Sequence, residues 1–276
     1  MESPIYELNT EGKFLYVRHG ETQKNKTMEK IDKSKLISIP EFLDCQLDTK
    51  GIEQAKKASE IISKLDIEEI WVSPLHRTLQ TAYYLFENHP NIDNLVMKIN
   101  PYIIETMSGT DTISFLISER KKEFNMNSKV KYDWSYFDSI FTNQKDQDLF
   151  YLENIDKIPE DDRNKLFSDI KSNYDNKEKL RESVLELTNY IVNHNMDRVE
   201  SLTHASQRCL KFKEFLANKY TNKDPSKKVI MVTHSRFICL STSKKLHSMN
   251  EVDDYPDDSY FTKNCQIISI KIEKKL

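Results

Sequence analysis

Apolar residues fall in short dense runs, separated by stretches where they recur every three or four positions. The runs Phe14-Leu-Tyr-Val17, Glu69-Ile-Trp-Val72, Leu95 to Ile99, Lys228-Val-Ile-Met-Val-Thr233 and Cys265 to Ile272 predict strands. Each is short, and several are rich in β-branched or aromatic residues. Between the first two, Ile52, Ala55, Ile62 and Leu65 share one face of a helix from Thr49 to about Leu65, capped by Asp48 or Thr49. Pro74 opens a helix from Leu75 to about Glu87, near the first turn where its missing N–H costs nothing. Helical spacing returns over Lys177 to His194, through Leu180, Val184, Leu187 and Ile191. It continues over Leu202 to Tyr220, through Ala205, Cys209, Phe212 and Leu216, and a last helix follows Thr233 to about Leu246.

Two stretches break the rhythm. From the end of the first strand to about Pro40 the chain is polar and reads as irregular. From about Gly109 to Asn176 it is rich in Lys, Asp and Asn with scattered aromatics. Helices are expected there, because a structureless loop of that length is rare in a compact domain. Strands alternating with helices predict an α/β layered fold with a largely parallel sheet. No internal repeat is present. The expected organisation is one domain over 1–276, with a largely helical, cap-like insertion at about 107–199.

Composition narrows the function classes. The net charge is −3, so no global positive field draws nucleic acid, and any anion site must be local. No apolar run approaches the roughly 18 residues that span a membrane, and the N-terminus lacks a signal-peptide pattern. Cys45, Cys209, Cys239 and Cys265 are far apart with no CxxC pair, which predicts free thiols in a reduced cytoplasm and no structural zinc. Oligomeric state leaves no mark. Only four glycines occur, Gly12, Gly20, Gly51 and Gly109; average usage gives roughly nineteen. A chain this sparing keeps glycine where the backbone needs it.

The chemistry gathers at strand ends. The first strand ends in Arg18-His19-Gly20, the second in Ser73-Pro74 with Arg77 one turn on, and the late one in Thr233-His234. Sites in open α/β sheets lie beyond the carboxyl ends of strands. The expected crevice therefore holds two imidazoles and two guanidiniums. A neutral imidazole is a nucleophile near pH 7. Arginine forks match phosphate oxygens and can hold developing charge without a metal. Glu105, after the third strand, supplies a carboxyl for the leaving oxygen.

These residues resemble the histidine phosphatase superfamily, also called phosphoglycerate-mutase-like. Its signatures are matched by Arg18-His-Gly-Glu-Thr22 with Asn25, by Asp44-Cys-Gln-Leu-Asp-Thr-Lys-Gly51-Ile-Glu-Gln-Ala55, by Ser73-Pro-Leu-His-Arg77-Thr-Leu-Gln-Thr-Ala82 and by Val232-Thr-His234. The likeness covers about 1–109 and 200–275. Around Arg208 to Phe237 it is nearest to eukaryotic phosphoglycerate-mutase-like phosphatases, and Ser235 after the second histidine argues against the acid-phosphatase branch.

The resemblance implies a three-layer α/β/α sandwich and a soluble, metal-independent phosphatase without a cofactor. Its substrate would be a small phosphorylated metabolite. His19 would carry the phosphoryl group, and Arg18, Arg77 and His234 would form the phosphate pocket, with Thr22 and Asn25 at its edge. Glu105 would be the proton donor and then the base. Two departures stand out. After Glu105 comes Thr106-Met-Ser-Gly109, where glycolytic mutases carry Arg, His and Tyr. Arg236 replaces a frequent glycine, and it either adds an anion contact or crowds the pocket. The alternatives are mutase-type phosphoryl transfer, aided by Glu119-Arg-Lys-Lys122, and a non-catalytic binding protein that kept the fold.

Overall fold

The computed structural model describes residues 11–28, 39–126, 129–243, 252, 254–270 and 272. Its centre is a six-stranded sheet. The strands are β1 (Phe14–Arg18), β2 (Ile67–Val72), β3 (Val96–Ile99), β4 (Lys131–Asp133), β5 (Lys228–Thr233) and β6 (Ile267–Ile270). Their spatial order is β4-β3-β2-β5-β1-β6. The pairs from β4 through β1 are parallel, and β6 lies antiparallel against β1 at the edge.

Alternation along the strands makes the layers. Leu15, Val17, Ile70, Val72, Ile230 and Val232 face one side, where Ala55, Ala58, Leu79, Ala82, Leu85 and Phe86 cover them. These come from the helices α2 (Thr49–Ile62) and α3 (His76–Phe86). Phe14, Tyr16, Trp71, Val229 and Met231 face the other side. There they meet Cys209, Phe212 and Leu216 of α9 (Leu202–Tyr220) and Phe237 of α10 (Ser235–Thr242). A fully buried Leu or Phe contributes about 1.5–3 kcal/mol, so these two faces supply the main cohesion.

The pattern erred in instructive places. The polar stretch after β1 contains a helix, α1 (Gln23–Met28). Its start is local: the Asn25 N–H donates to Thr22 Oγ1 at 3.3 Å, and the Thr22 N–H donates to Asn25 Oδ1 at 3.2 Å. This reciprocal pairing nucleates a turn without any amphipathic stripe. Pro74 lies just ahead of α3, near its first turn. The cap comes from afar, with the His76 N–H donating to Asp44 Oδ1 at 3.0 Å. Asp48 caps α2, accepting from the Gly51 N–H at 2.7 Å. The helix expected after Thr233 runs to Thr242, and the rest of that expectation, residues 244–246, lies outside the described residues.

The middle of the chain carries the helices α4 (Ile117–Asn125), α5 (Ser135–Ile140), α6 (Gln144–Asp148), α7 (Glu160–Ser172) and α8 (Lys177–Asn193). It also donates β4 to the sheet, pairing Val96 with Lys131 and Lys98 with Asp133. Met107, Ile113, Leu152, Ile170, Val184, Leu187 and Ile191 form a separate apolar cluster. Trp134 and Phe137 pack into the core beside α3, while Tyr136 stacks edge-on against Trp71. These aromatics are core residues at the β4 side of the sheet. Among the described residues no helix is long and apolar enough to cross a membrane.

Candidate active site

Strand register brings the chemistry to one level. Arg18 pairs with Thr233, and Val72 with Val232. The ladder runs one residue further: the His19 N–H donates to Thr233 O at 3.0 Å, and the Ser73 N–H to Val232 O at 3.1 Å. His19, Ser73 and His234 therefore leave the sheet side by side, at its carboxyl edge. The two imidazole centroids are 5.2 Å apart, tilted by 58°.

The loop after His19 is held by close backbone packing. A Cβ on Gly20 would stand 2.5 Å from Gly51 O, and one on Gly51 would stand 2.1 Å from Glu21 O. Glycine is required at both positions for space, not for an unusual φ. The Gly20 N–H donates to Thr81 Oγ1 at 3.0 Å, and Thr81 Oγ1 donates to Arg77 O at 2.7 Å. The loop after His19 is thus tied to the helix that carries Arg77.

The His19 ring is oriented by its own neighbour, with Nδ1 2.7 Å from Gly20 O. A carbonyl only accepts, so Nδ1 carries the proton and Nε2 keeps its lone pair. Burial, then the charges of Arg77 and Arg18, hold the His19 pKa well below 6.5. His234 is fully buried, and its Nε2 lies 2.8 Å from Ser73 Oγ. Burial, then Arg77, His19, Arg208 and Arg18, hold it well below 6.5 also. Both rings are neutral at pH 7.

Arg18 and Arg77 are anchored by carbonyls. Arg18 Nη1 donates to Thr262 O at 2.7 Å, and Arg77 Nη1 donates to Asp111 O at 2.5 Å. Arg18 Nε and His234 Nδ1 are buried without a hydrogen-bond partner. Glu105 is 8% exposed, and its Oε1 accepts from the Thr106 N–H at 3.1 Å. It interacts electrostatically with Arg18 and Arg236. Thr22 and Asn25 bond to each other at the start of α1, immediately after the His19-Gly20 loop.

Lys24, Asp111 and Asn264 had no readable signal in sequence, whereas Arg236 stood out there. Lys24 and Asp111 form an ion pair between α1 and the segment after Glu105. Burial pushes the Asp111 carboxyl up, but Lys24, Arg77 and Arg236 outweigh it and hold the pKa low. Burial likewise works against the Arg236 charge; Glu105, Tyr255, Asp111 and Asp197 outweigh it and leave that guanidinium more basic than usual. Asn264 Nδ2 donates to His19 O at 3.0 Å from the turn before β6. Among the described residues no group of three or more His, Cys, Asp or Glu is placed to hold a metal ion.

The neutral histidines make a pH prediction. The unfolded chain takes up protons on His19 and His234 as pH falls below 6.5, and the folded protein does not. Stability from this source is complete above 6.5 and is lost as pH falls toward the lowered folded values. The thermal midpoint should therefore decline from about pH 6.5 downward. In His234→Gln that decline should be shallower; an identical slope in the variant overturns the linkage.

The open, mostly parallel α/β sheet thus carries a basic, two-histidine crevice at its carboxyl edge, an arrangement chemically suited to an anionic group. Residues 14–111 match the Histidine phosphatase superfamily (branch 1). Among solved structures it is similar to an ecdysone phosphate phosphatase from Bombix mori, solved with tungstate, at 13% identity and a TM-score of 0.48, covering 92% of this chain and 86% of that one. It is also similar to a mycobacterial glucosyl-3-phosphoglycerate phosphatase, at 17% identity and a TM-score of 0.42, covering 83% and 77%. A phosphoserine phosphatase from Entamoeba histolytica, in complex with 3-phosphoglyceric acid, shares 16% identity at a TM-score of 0.41, covering 92% and 87%. No curated protein sequence matches.

Proposed function

We propose that this protein is a phosphatase that hydrolyses a phosphomonoester through a phosphohistidine on His19. The observation that carries the reading is the His19 ring: neutral, with Nδ1–H fixed on Gly20 O and the Nε2 lone pair free, beside Arg18 and Arg77. Nε2 attacks phosphorus, forming the N–P bond as the bond to the leaving oxygen breaks. The Glu105 carboxyl gives that oxygen its proton. The resulting carboxylate then takes a proton from water, whose oxygen attacks phosphorus and breaks the N–P bond. His19 is restored, and inorganic phosphate leaves.

Charge on the phosphoryl oxygens is held by Arg18 and Arg77. When the Ser73 hydroxyl donates to His234 Nε2, the His234 Nδ1–H is left to meet a phosphate oxygen. Thr22 and Asn25 stand at the pocket edge. This arrangement requires no metal and no cofactor, so phosphate release should persist in excess chelator. A strict metal requirement would mean the wrong mechanism.

A hydrolase is favoured over a mutase by the use made of the nearby cations. Arg120 pairs with Asp44 and Glu123, and Lys121 with Asp138. They are engaged in holding α4, not offered to a substrate carboxylate. The intact set Arg18, His19, Arg77, Glu105 and His234 likewise supports an enzyme over a binding protein.

The substrate we propose is a small phosphorylated metabolite, and the setting the cytoplasm, in keeping with four unbridged, buried cysteines. We read the chain as one domain, 1–276, with an insertion at about 107–199, supported by the separate apolar cluster there. The test is a screen of phosphorylated metabolites for phosphate release, with His19→Ala as the blank. Release by wild type alone supports the reading. Isomerisation of a phosphoglycerate without phosphate release favours the mutase, and no turnover of any phosphoester removes both.

A further inference from the structure

Glu105 sits where the chain has no regular structure. The short 3-10 turn Pro101–Ile103 precedes it, and the next, Thr110–Thr112, comes after a gap. A carboxyl that must meet a leaving oxygen needs its position fixed by something other than its own backbone ladder. The bonds that do so converge on one buried ion pair. Glu200 is 0% exposed and Arg208 is 5%. Arg208 Nε donates to Glu200 Oε1 at 3.2 Å, and Nη2 donates to Oε1 at 2.9 Å and Oε2 at 3.0 Å. Arg208 Nη1 donates to Tyr102 O at 2.7 Å and Ile104 O at 2.9 Å. On the far side, Glu200 Oε2 accepts from the Met107 N–H at 3.0 Å. The backbone is thus held just before and just after Glu105 by the two halves of a single pair.

A buried ion pair is a poor device for stability alone, since apolar residues of similar volume often serve as well or better. What it adds is direction. The guanidinium is a rigid planar fork, and here it spans a carboxylate on one side and two carbonyls on the other. We infer that Glu200 and Arg208 are positioning residues for the acid, setting where the Glu105 carboxyl stands relative to the phosphate pocket without touching substrate. This rests on the phosphatase reading, with Glu105 as proton donor. Arg208 reaches the site in a second way, since its charge also helps keep His234 neutral.

Leaving-group dependence separates positioning from mere support. A 4-nitrophenyl phosphate departs as a stabilised phenolate and needs no proton, whereas a primary alkyl phosphate needs one. The ratio of kcat/KM for the two substrates therefore reads the acid alone. Arg208→Lys should lower kcat/KM for the alkyl ester about 10²-fold while changing the aryl ester less than about threefold. Glu200→Gln keeps volume and an oxygen for the Met107 N–H, and should give the same split more mildly. It carries the test should Arg208→Lys fail to fold. Leu216→Ala, a cavity in the same helix, serves as the control for destabilisation and should show no split. Equal loss on both esters, or no loss on either, in the folded variants overturns the inference. Glu105→Gln tells the two levels apart. If it splits the substrates and the pair variants do not, positioning fails and the phosphatase reading stands. If wild type cleaves both esters and Glu105→Gln shows no split, the acid assignment fails and positioning with it.

Discussion

His19→Ala should lower kcat/KM for any phosphomonoester this protein cleaves by on the order of 10⁴-fold or more, the loss expected when a covalent nucleophile is removed. The size follows from the geometry. Nε2 is the only His19 atom free to bond phosphorus, because Nδ1 is committed to Gly20 O. His234 cannot substitute for it, because its Nε2 is engaged with Ser73. A companion result is expected in Glu105→Gln. With a 4-nitrophenyl phosphate as donor, whose phenolate leaves without a proton, and no carboxylate to draw the proton from water, the phosphoryl group should stay on the enzyme. Quenched samples should then carry one phosphoryl group on the peptide containing His19, labile in acid as an N–P bond is. Near wild-type turnover in His19→Ala, or a phosphoryl group on another residue, would remove the nucleophile assignment. Fold should be unaffected, since truncation deletes one internal hydrogen bond at a strand end.

The largest structural effect should come from Gly51→Ala. The added methyl would lie 2.1 Å from Glu21 O and 2.7 Å from Glu21 N. Both are backbone atoms, so no flexible side chain can yield. Forced insertion into packed regions typically costs about 1–3 kcal/mol even when side chains can adjust. Here the cost should reach or exceed the upper end, about 3 kcal/mol. For a chain of this size that lowers the thermal midpoint by several degrees. The displaced atoms belong to the loop that holds His19, so activity should fall even in the folded fraction. An unchanged midpoint together with unchanged activity would show that α2 and the nucleophile loop do not pack as closely as described.

What the sequence revealed of this site follows from where the residues stand. Arg18, His19 and His234 each sit at the end of an apolar run, and Arg77 one turn beyond another, so the rule for open α/β sheets brings them together. Strands β1 and β5 are buried on both faces and therefore appear as continuous apolar runs, while β2 is buried only from Ile70 to Val72 and β3 alternates around Lys98. The strand β4 was invisible for the opposite reason: Lys131-Tyr132-Asp133 is short, polar and at an edge. The helix α1 was missed because a reciprocal Thr22–Asn25 pairing, not an apolar stripe, starts it. Most hidden were the contacts between distant segments. The pairings of Lys24 with Asp111, and of Arg208 with Tyr102, Ile104 and Glu200, leave no signal in the sequence until the fold brings them together. Polar pairing across the chain leaves no periodicity to find.

The place of β1 in the sheet has a consequence for how the protein comes into being. Its two neighbours are β5 and β6, which come latest in sequence among the described strands. A ribosome delivers His19 well before the two strands that flank β1. Through most of synthesis the Phe14–Arg18 segment has no strand to lie against, His19 has no Thr233 carbonyl to receive its amide, and Asn264 is not yet there to hold its carbonyl. On the proposed reading, catalytic competence therefore waits until β5 and β6 have been made. A nascent polypeptide released short of β6 would carry Arg18-His19-Gly20 intact and still be inert.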